Sequence, residues 1–218
     1  MAQETVTVRR LSSGSVEPSR DWAAVYELCC RTGNNGQPVA AQRWDFFGRL
    51  WVEPYKIIFP QWTYVAETKN VIVGYLTGCP DTNAFTRVKR WKFSLRLLVD
   101  IIRGCYPDNR DAWRFARQML RLEQTPERIF PRGLVANLRQ NYPAHLHMNV
   151  EADWRGSGIG AQLAEEFFAD LRAAGIAGVH LYCGAAPLNF YEKQGFKFLA
   201  KIVFRGAPVY ALGRRFHD

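Results

Sequence analysis

Apolar and polar residues alternate along several short stretches of the chain, and this period of two predicts β-strands. The first stretch covers residues 4–10, and two more, 63–68 and 71–78, are separated by Lys69 and Asn70. Two β-rich runs joined by so short a turn predict a β-hairpin.

Over the rest of the chain, segments with the apolar spacing of helices alternate with further predicted strands. A polar, turn-like segment at 18–21 precedes a helix that ends at Gly33, and a loop at 34–38 precedes a helix broken at Pro54. The later elements are predicted as strands at 145–150, 179–183, 196–204 and 208–216, and as helices at 159–174 and 187–194.

Residues 81–141 interrupt this alternation with a segment that is helical and basic. The segment holds 13 Lys and Arg against 6 Asp and Glu, so it contributes +7 of the net charge of +9 and leaves +2 for the rest. We therefore expect one domain over residues 1–218, with residues 81–141 as a basic helical insertion within it.

Apolar and basic residues occupy separate helical faces within this insertion. The apolar face comprises Trp91, Leu95, Leu98 and Ile102. The basic faces comprise Lys89, Lys92, Arg96 and Arg103 on the first helix, and Arg110, Arg114, Arg117 and Arg121 on the second. Two arrangements stay open: surface helices packed on the core with solvated arginines, or a basic wall beside a ligand or partner site.

Composition excludes several classes of protein. Of the 218 residues, 48% are hydrophobic and 14% aromatic, which is ordinary for a globular chain and rules out full disorder. No apolar run approaches the length of a membrane span, and the first residues lack the apolar core of a secretory signal. Because the cysteines form no CxxC pair and the histidines no HExxH motif, we expect a reduced, cytoplasmic protein with no metal and no membrane partner.

The clearest chemical signal lies where the predicted strand at 145–150 is followed by RGSGIG at 155–160 and then at once by a helix. Glycines let a ligand approach the backbone closely, and free N–H groups at a helix start favour a phosphate. The spacing fits neither a P-loop nor a dinucleotide-binding fingerprint, and a turn without any ligand is the alternative.

A second motif, NFYEKQGFK at 189–197, follows the glycine turn, and the pair resembles the GNAT superfamily of N-acetyltransferases. More narrowly, PYKIIFP at 54–60, VGYLTGCPDTNAF at 73–85 and YPAHLHMNV at 142–150 resemble the acetyltransferase-like domain of O-GlcNAcases and its free-standing bacterial relatives. The resemblance implies a GNAT-like α/β (α+β) fold. Its mixed, mostly antiparallel central sheet would be flanked by helices, with the helical insertion before the central strand.

The resemblance also implies acetyl-CoA as co-substrate. The backbone of Met148, Asn149 and Val150 would pair with the pantetheine arm, and an N–H near Val150 would polarise the thioester carbonyl. Amides of the glycine turn would hold the pyrophosphate, with the Arg155 side chain either on a phosphate or solvated. This pyrophosphate site comprises Arg155, Gly156, Ser157, Gly158, Ile159, Gly160 and Ala161.

Tyr191 matches the family tyrosine whose hydroxyl lies near the sulfur of acetyl-CoA and protonates the departing thiolate. The alternative is that Tyr191 only packs its helix on the sheet. Where the superfamily often has asparagine, this chain has Gly184, and Asn189 lies one turn later as a replacement for the contact to pantetheine.

The general base is less well marked. His145, His147 and Asn149 share one face of the predicted strand, and His147 is a candidate because the ordinary histidine pKa is about 6.5. A hydrogen-bonded structural histidine is the alternative, and the adjacent Glu151 is expected to point to solvent.

The leading hypothesis is therefore an acetyl-CoA-dependent N-acetyltransferase that moves the acetyl group directly to a primary amine, on a small molecule or a protein, in a ternary complex. The runner-up is an acetyl-CoA-binding but catalytically silent domain that acts as a sensor or interaction module. Binding of nucleic acid ranks last, because it rests on charge alone. The excess charge is assigned to attraction of CoA, an acidic acceptor or partner, or a solvated surface.

Overall fold

The computed structural model describes residues 5–11, 18–34 and 36–216. Residue 4, at the start of the first predicted strand, and residue 35, in the predicted loop, lie outside them. The strands are β1 (Thr7–Arg10), β2 (Thr63–Thr68), β3 (Val71–Cys79), β4 (Ala144–Val150), β5 (Gly178–Cys183), β6 (Lys197–Phe204) and β7 (Ala207–Arg215).

Helices occupy the remaining predicted positions. They are α1 (Pro18–Thr32), α2 (Trp44–Trp51), α3 (Glu53–Ile58), α4 (Thr82–Val88), α5 (Leu95–Ile102), α6 (Arg110–Met119), α7 (Pro126–Ile129), α8 (Arg132–Asn141), α9 (Ile159–Ala173) and α10 (Leu188–Lys193). A π-helical segment, Lys89–Ser94, joins α4 to α5 without a break. None of the helices in the described residues is long and apolar enough to cross a membrane.

The strands form one sheet in the order β1-β2-β3-β4-β5-β7-β6. The pairings of β1 with β2, β2 with β3, β5 with β7 and β6 with β7 are antiparallel, and that of β4 with β5 is parallel. The predicted fold class is thereby confirmed: a mixed, mostly antiparallel sheet with flanking helices, and a helical segment that precedes β4.

The chain divides into two compact units, each built from separate segments. Unit 1 comprises Met1–Cys79, Tyr106–Asp111 and His147–Ala169, and unit 2 comprises Pro80–Cys105, Ala112–Leu146 and Asp170–Asp218. The predicted insertion, 81–141, falls in unit 2 except for residues 106–111. That the whole chain acts as one domain stays a prediction.

Unit 1 has its core between α1 and the β2–β3 hairpin, where Val25, Leu28, Val65 and Tyr75 are fully buried. The hairpin turns at Lys69 and Asn70, both of which have positive φ, as a two-residue turn of the predicted kind requires.

Two glycines of β3 let α9 lie directly on the strand. A Cβ built on Gly74 would come within 3.1 Å of Ile159, and one built on Gly78 within 2.3 Å of Phe167. Ile159, Leu163 and Phe167, spaced four residues apart, are buried where α9 meets β3.

Unit 2 has its core where α8 packs on the β6–β7 hairpin, around Phe130, Leu138 and Ala211. The start of α4 is tied to the residue before β4, because the Thr82 N–H and hydroxyl both donate to the Pro143 carbonyl, at 2.8 and 2.7 Å.

Three local expectations were wrong. The predicted turn at 18–21 is the first turn of α1, where proline is tolerated because the first N–H groups of a helix lack intrahelical acceptors. Arg121 does not continue the face of α6, since that helix ends at Met119 and Arg121 has a φ of 61°. The predicted apolar face of the insertion is not its packing face, because α5 carries apolar residues on more than one side and buries Leu97 and Ile101, together with Phe93 just before it, instead.

Candidate functional site

The glycine turn in unit 1 joins the end of β4 to the first residue of α9. Gly156 and Gly158 have φ values of 79° and 89°, in the region that glycine adopts without strain. A Cβ added at either glycine would meet nothing within 4 Å, so open space lies against both. The turn is therefore an exposed stretch of backbone without side-chain bulk at these two positions.

The N–H groups at the start of α9 are only partly used within the protein. Those of Ala161 and Gln162 donate to the Gly158 carbonyl at 3.0 and 3.1 Å. Within the described residues, those of Ile159 and Gly160 have no acceptor. Together with the partial positive charge of the helix end, such N–H groups suit an anionic oxygen.

The Arg155 side chain is committed to the protein backbone. Its Nε donates to the Val150 carbonyl at 3.0 Å and its Nη2 to the Gly36 carbonyl at 2.9 Å. Both bonds bring the guanidinium back against unit 1. These contacts hold Arg155 against the turn, and its predicted contact with a phosphate stays a prediction.

Residues of the second half of β4 take part in a polar chain that ends in the core of unit 1. The Asn149 Nδ2 donates to the Tyr75 hydroxyl at 2.8 Å and lies 3.3 Å from the His147 Nε2. Tyr75 in turn hydrogen-bonds the Cys29 thiol, and burial is the main reason that the Tyr75 pKa lies well above its ordinary value. Asn149 thus uses its side chain to join His147 to Tyr75.

His147 lies under an exposed tryptophan. The Trp51 ring stacks on the imidazole with centroids 5.5 Å apart and planes 19° apart, and Trp51 is 45% exposed. The Asn149 amide nitrogen can only donate a hydrogen bond, so the His147 Nε2 is the acceptor in this arrangement. Nε2 is therefore the ring nitrogen with a lone pair available to accept a proton. Met148 and Val150, on the opposite face of the strand, are half-buried.

The carboxylate that directly follows β4, that of Glu151, takes part in an ion pair. Glu151 is paired with Arg31, so its carboxylate is held against α1 instead of pointing free into solvent as expected. The Glu151 N–H donates to the Val73 carbonyl at 2.9 Å, which continues the contact between the end of β4 and β3.

The other histidine of the predicted strand face has a structural environment in unit 2. The Nδ1 of His145 lies 2.8 Å from the Thr82 hydroxyl, and its ring contacts Phe85 edge-on at 4.9 Å. His180 Nδ1 donates to the Tyr142 carbonyl at 2.6 Å, and burial lowers the His180 pKa.

Tyr191 lies in unit 2 on α10 and is 8% exposed. Its ring packs edge-on against Phe190 and Phe196 at 5.1 and 5.5 Å. Burial raises the Tyr191 pKa far above its ordinary value, with the Cys183 thiol adding to the shift. The phenol is therefore protonated at neutral pH. Asn189, on the same helix, is exposed.

Several features of the structure had no signal in the sequence. Trp51 and Tyr75 lie far from β4 in the chain, and only the fold brings them to His147 and Asn149. A cavity of about 620 Å³ in unit 2 was also missed, and Arg121, Glu127, Arg128 and Arg132 are among its lining residues. Within the described residues, no group of three or more His, Cys, Asp or Glu could hold a metal ion.

Comparison with known proteins shows a similarity to one family over part of the chain. Residues 120–198, which contain both the glycine turn and Tyr191, match the family model of the acetyltransferase (GNAT) domain. The crystal structure of SsHAT is similar over 97% of this chain and 98% of that one, with 28% sequence identity and a TM-score of 0.71.

More distant structures share the fold alone. The polyamine N-acetyltransferase of Drosophila melanogaster is 13% identical over 97% of this chain and 100% of that one, with a TM-score of 0.58. YncA of Salmonella typhimurium, a structure with acetyl-CoA, is 14% identical over 96% and 93%, with a TM-score of 0.52. The protein therefore has a GNAT-like fold, and its residues 120–198 match the acetyltransferase domain of that superfamily.

Proposed function

We propose that this protein binds acetyl-CoA and transfers the acetyl group to a primary amine. The observation that carries the proposal is the glycine turn before α9, where Gly156 and Gly158 leave open space and the N–H groups of Ile159 and Gly160 have no acceptor among the described residues. These features fit a pyrophosphate, because it needs N–H donors and close approach to the backbone. YncA, named above with acetyl-CoA, supports this choice of ligand.

The residues proposed to hold acetyl-CoA are those of the turn and of β4. The backbone from Gly156 to Ala161 would hold the pyrophosphate, and Arg155, which contacts the turn through the Val150 carbonyl, would lie beside a phosphate. The backbone of Met148, Asn149 and Val150 would pair with pantetheine, with Asn189 as a further contact. When bound, acetyl-CoA supplies the acetyl group as a thioester, whose C–S bond breaks as the new C–N bond forms.

His147 is proposed as the base that takes the proton from the attacking amine. Its support is the basic Nε2, which Asn149 now faces and which the amine would reach by replacing the Asn149 amide hydrogen. The N–H near Val150 would stabilise negative charge on the carbonyl oxygen.

Tyr191 is proposed to donate a proton to the leaving thiolate. Its raised pKa keeps the phenol protonated but makes it a weak acid. We therefore expect Tyr191→Phe to lower turnover by about 100-fold, at the low end of the usual range for loss of one general acid, and to leave acetyl-CoA affinity nearly unchanged.

Binding is tested by calorimetric titration with acetyl-CoA. The native protein should bind in the micromolar range, and Gly158→Glu should abolish binding, because it places bulk and negative charge at the proposed pyrophosphate site. Gly206→Glu is the matched control, since Gly206 also has a positive φ and open space around it but lies in the β6–β7 turn. Equal affinity of native and Gly158→Glu protein would remove the assignment.

Turnover is tested by release of free thiol with a panel of amines. Agmatine and spermidine belong in the panel because two neighbours of the same fold are named agmatine and polyamine acetyltransferases. Peptides with a free N-terminus or lysine represent protein acceptors.

A silent acetyl-CoA-binding module is the second candidate, and one observation favours it. The Glu151 carboxylate, four residues along the chain from the proposed base, is paired with Arg31, and the His147 Nε2 already receives a hydrogen from Asn149. Binding of acetyl-CoA with no turnover on any amine would support this candidate. The relation to the acetyltransferase-like domain of O-GlcNAcases stays a prediction from the three motifs given above.

A further inference from the structure

The helix that runs from Thr82 to Ile102 in unit 2 exposes a continuous apolar stripe. Trp91 is 65% exposed, Leu95 40%, Val99 43% and Ile102 73%. The four residues follow one another at spacings of four, four and three, so they line one side of the helix. Single exposed apolar side chains are normal on a protein surface, but a contiguous row that includes tryptophan marks a contact site.

The stripe is not the side by which this helix packs on the rest of the protein. The opposite side of the same helix, which belongs to unit 2, buries Phe93, Leu97 and Ile101, each at most 4% exposed. The π-helical segment Lys89–Ser94 lies at the start of the stripe and carries Trp91. Such segments occur often at functional positions.

Cations border the stripe along its whole length. Between residues 82 and 103 the chain has six Lys and Arg and one acid, Asp100. Arg90, Lys92, Arg96 and Arg103 are all exposed. A helix with tryptophan and aliphatic residues on one side and lysine and arginine beside them has the pattern of a segment that lies in the membrane–water interface.

We propose that this helix docks the protein on an anionic phospholipid surface. Trp91, Leu95, Val99 and Ile102 would enter the boundary between headgroups and acyl chains. The flanking Lys and Arg would meet the phosphates, which supplies the charge complementarity that selects this occupant. In this proposal the protein lies on the membrane surface and does not cross the bilayer. The sequence alone had led us to expect no membrane partner.

Two other occupants fit the charges less well. A second copy of the chain would bring one cationic border against another, which opposes association. A nucleic acid would satisfy the cations but would leave the aliphatic residues Leu95, Val99 and Ile102 against a phosphate backbone.

The proposal is tested by co-sedimentation of the full chain with vesicles. Equal parts of phosphatidylcholine and phosphatidylglycerol form the anionic vesicles, and phosphatidylcholine alone forms the neutral ones. We expect binding to the anionic vesicles, weakened in high salt, and little binding to the neutral ones. Trp91→Ala with Ile102→Ser should weaken binding at least tenfold. Lys92→Ser with Arg96→Ser should weaken it by about 25-fold, at about fivefold for each charge.

Matched control variants distinguish the stripe from general surface effects. Phe198→Ala with Val203→Ser removes apolar residues of similar exposure from the β6–β7 hairpin and should leave vesicle binding unchanged. Because the stripe residues are exposed, their variants should melt as the native protein does, and Ile102→Ser alone serves if the double variant does not fold.

The proposal is overturned if the native protein ignores anionic vesicles, binds neutral ones equally well, or binds unchanged in the stripe variants. It is also overturned if sedimentation velocity shows that the native chain self-associates and the stripe variants do not. Binding to anionic vesicles that only the stripe and charge variants lose supports it.

Discussion

The hydrogen bond between Asn149 and Tyr75 gives the most quantitative prediction about the proposed site. Tyr75 is fully buried, and its hydroxyl accepts from Asn149 at 2.8 Å while it also contacts the Cys29 thiol. Tyr75→Phe removes that hydroxyl without changing the shape of the ring. The Asn149 amide then keeps only His147 among the partners described above, at 3.3 Å.

The magnitude follows from the burial of the two partners. A neutral hydrogen bond contributes about 1 kcal/mol net, and a buried group left without its partner costs about 1–3 kcal/mol. Because Asn149 is only half-buried and water can reach it, we expect Tyr75→Phe to cost about 1–2 kcal/mol. For a chain of this size that corresponds to a fall in Tm of about 2–8 °C.

A double-mutant cycle measured by denaturant unfolding isolates the bond. Tyr75→Phe and Asn149→Ala should show a coupling energy of about 1 kcal/mol, because each removes the same interaction. The pair Tyr26→Phe and Asn149→Ala is the control and should be additive within about 0.5 kcal/mol. Additive effects of Tyr75→Phe and Asn149→Ala would refute the hydrogen bond and with it the positioning of His147.

Three further predictions concern the rest of the chain. Gly78→Ala should lower the free energy of unfolding by about 1–3 kcal/mol in a thermal melt, because its Cβ would lie 2.3 Å from the buried Phe167 ring; a native Tm would contradict this packing. Since burial lowers the His180 pKa, stability should be complete above the ordinary histidine value of about 6.5 and should fall as the pH drops below it; urea titrations from pH 7.5 to 5 should show a flatter profile in His180→Asn. Cys105 is exposed and Cys29 buried, so a thiol reagent should first label one site that Cys105→Ser removes, and rapid labelling in that variant would contradict the assignment.

Local patterns predicted those elements whose residues interact with near neighbours in the chain. The β2–β3 hairpin follows from two apolar runs and a short turn, and α9 follows from apolar residues at four-residue spacing after a glycine turn. The glycine turn was predicted from the closely spaced glycines of RGSGIG, and Gly156 and Gly158 have positive φ values that glycine adopts without strain.

Features that depend on long-range contacts could not be predicted. The Arg155 guanidinium donates to the Gly36 carbonyl, 119 residues away in the chain. Asn149 donates to the Tyr75 hydroxyl, 74 residues away. The exposed side of the helix at 82–102 was misassigned for a different reason. Apolar residues occur on more than one side of α5, so a period of 3.6 alone does not select which side is buried.

The central claim is that the start of α9 holds the pyrophosphate of acetyl-CoA, and it is tested most directly by two ligands that differ in that group. Calorimetry compares acetyl-CoA with acetyl-pantetheine, which lacks the pyrophosphate, on the native protein and on Gly158→Glu. We predict that Gly158→Glu abolishes the affinity for acetyl-CoA and leaves the weak affinity for acetyl-pantetheine unchanged. An equal loss for both ligands, or no loss for acetyl-CoA, would contradict the claim.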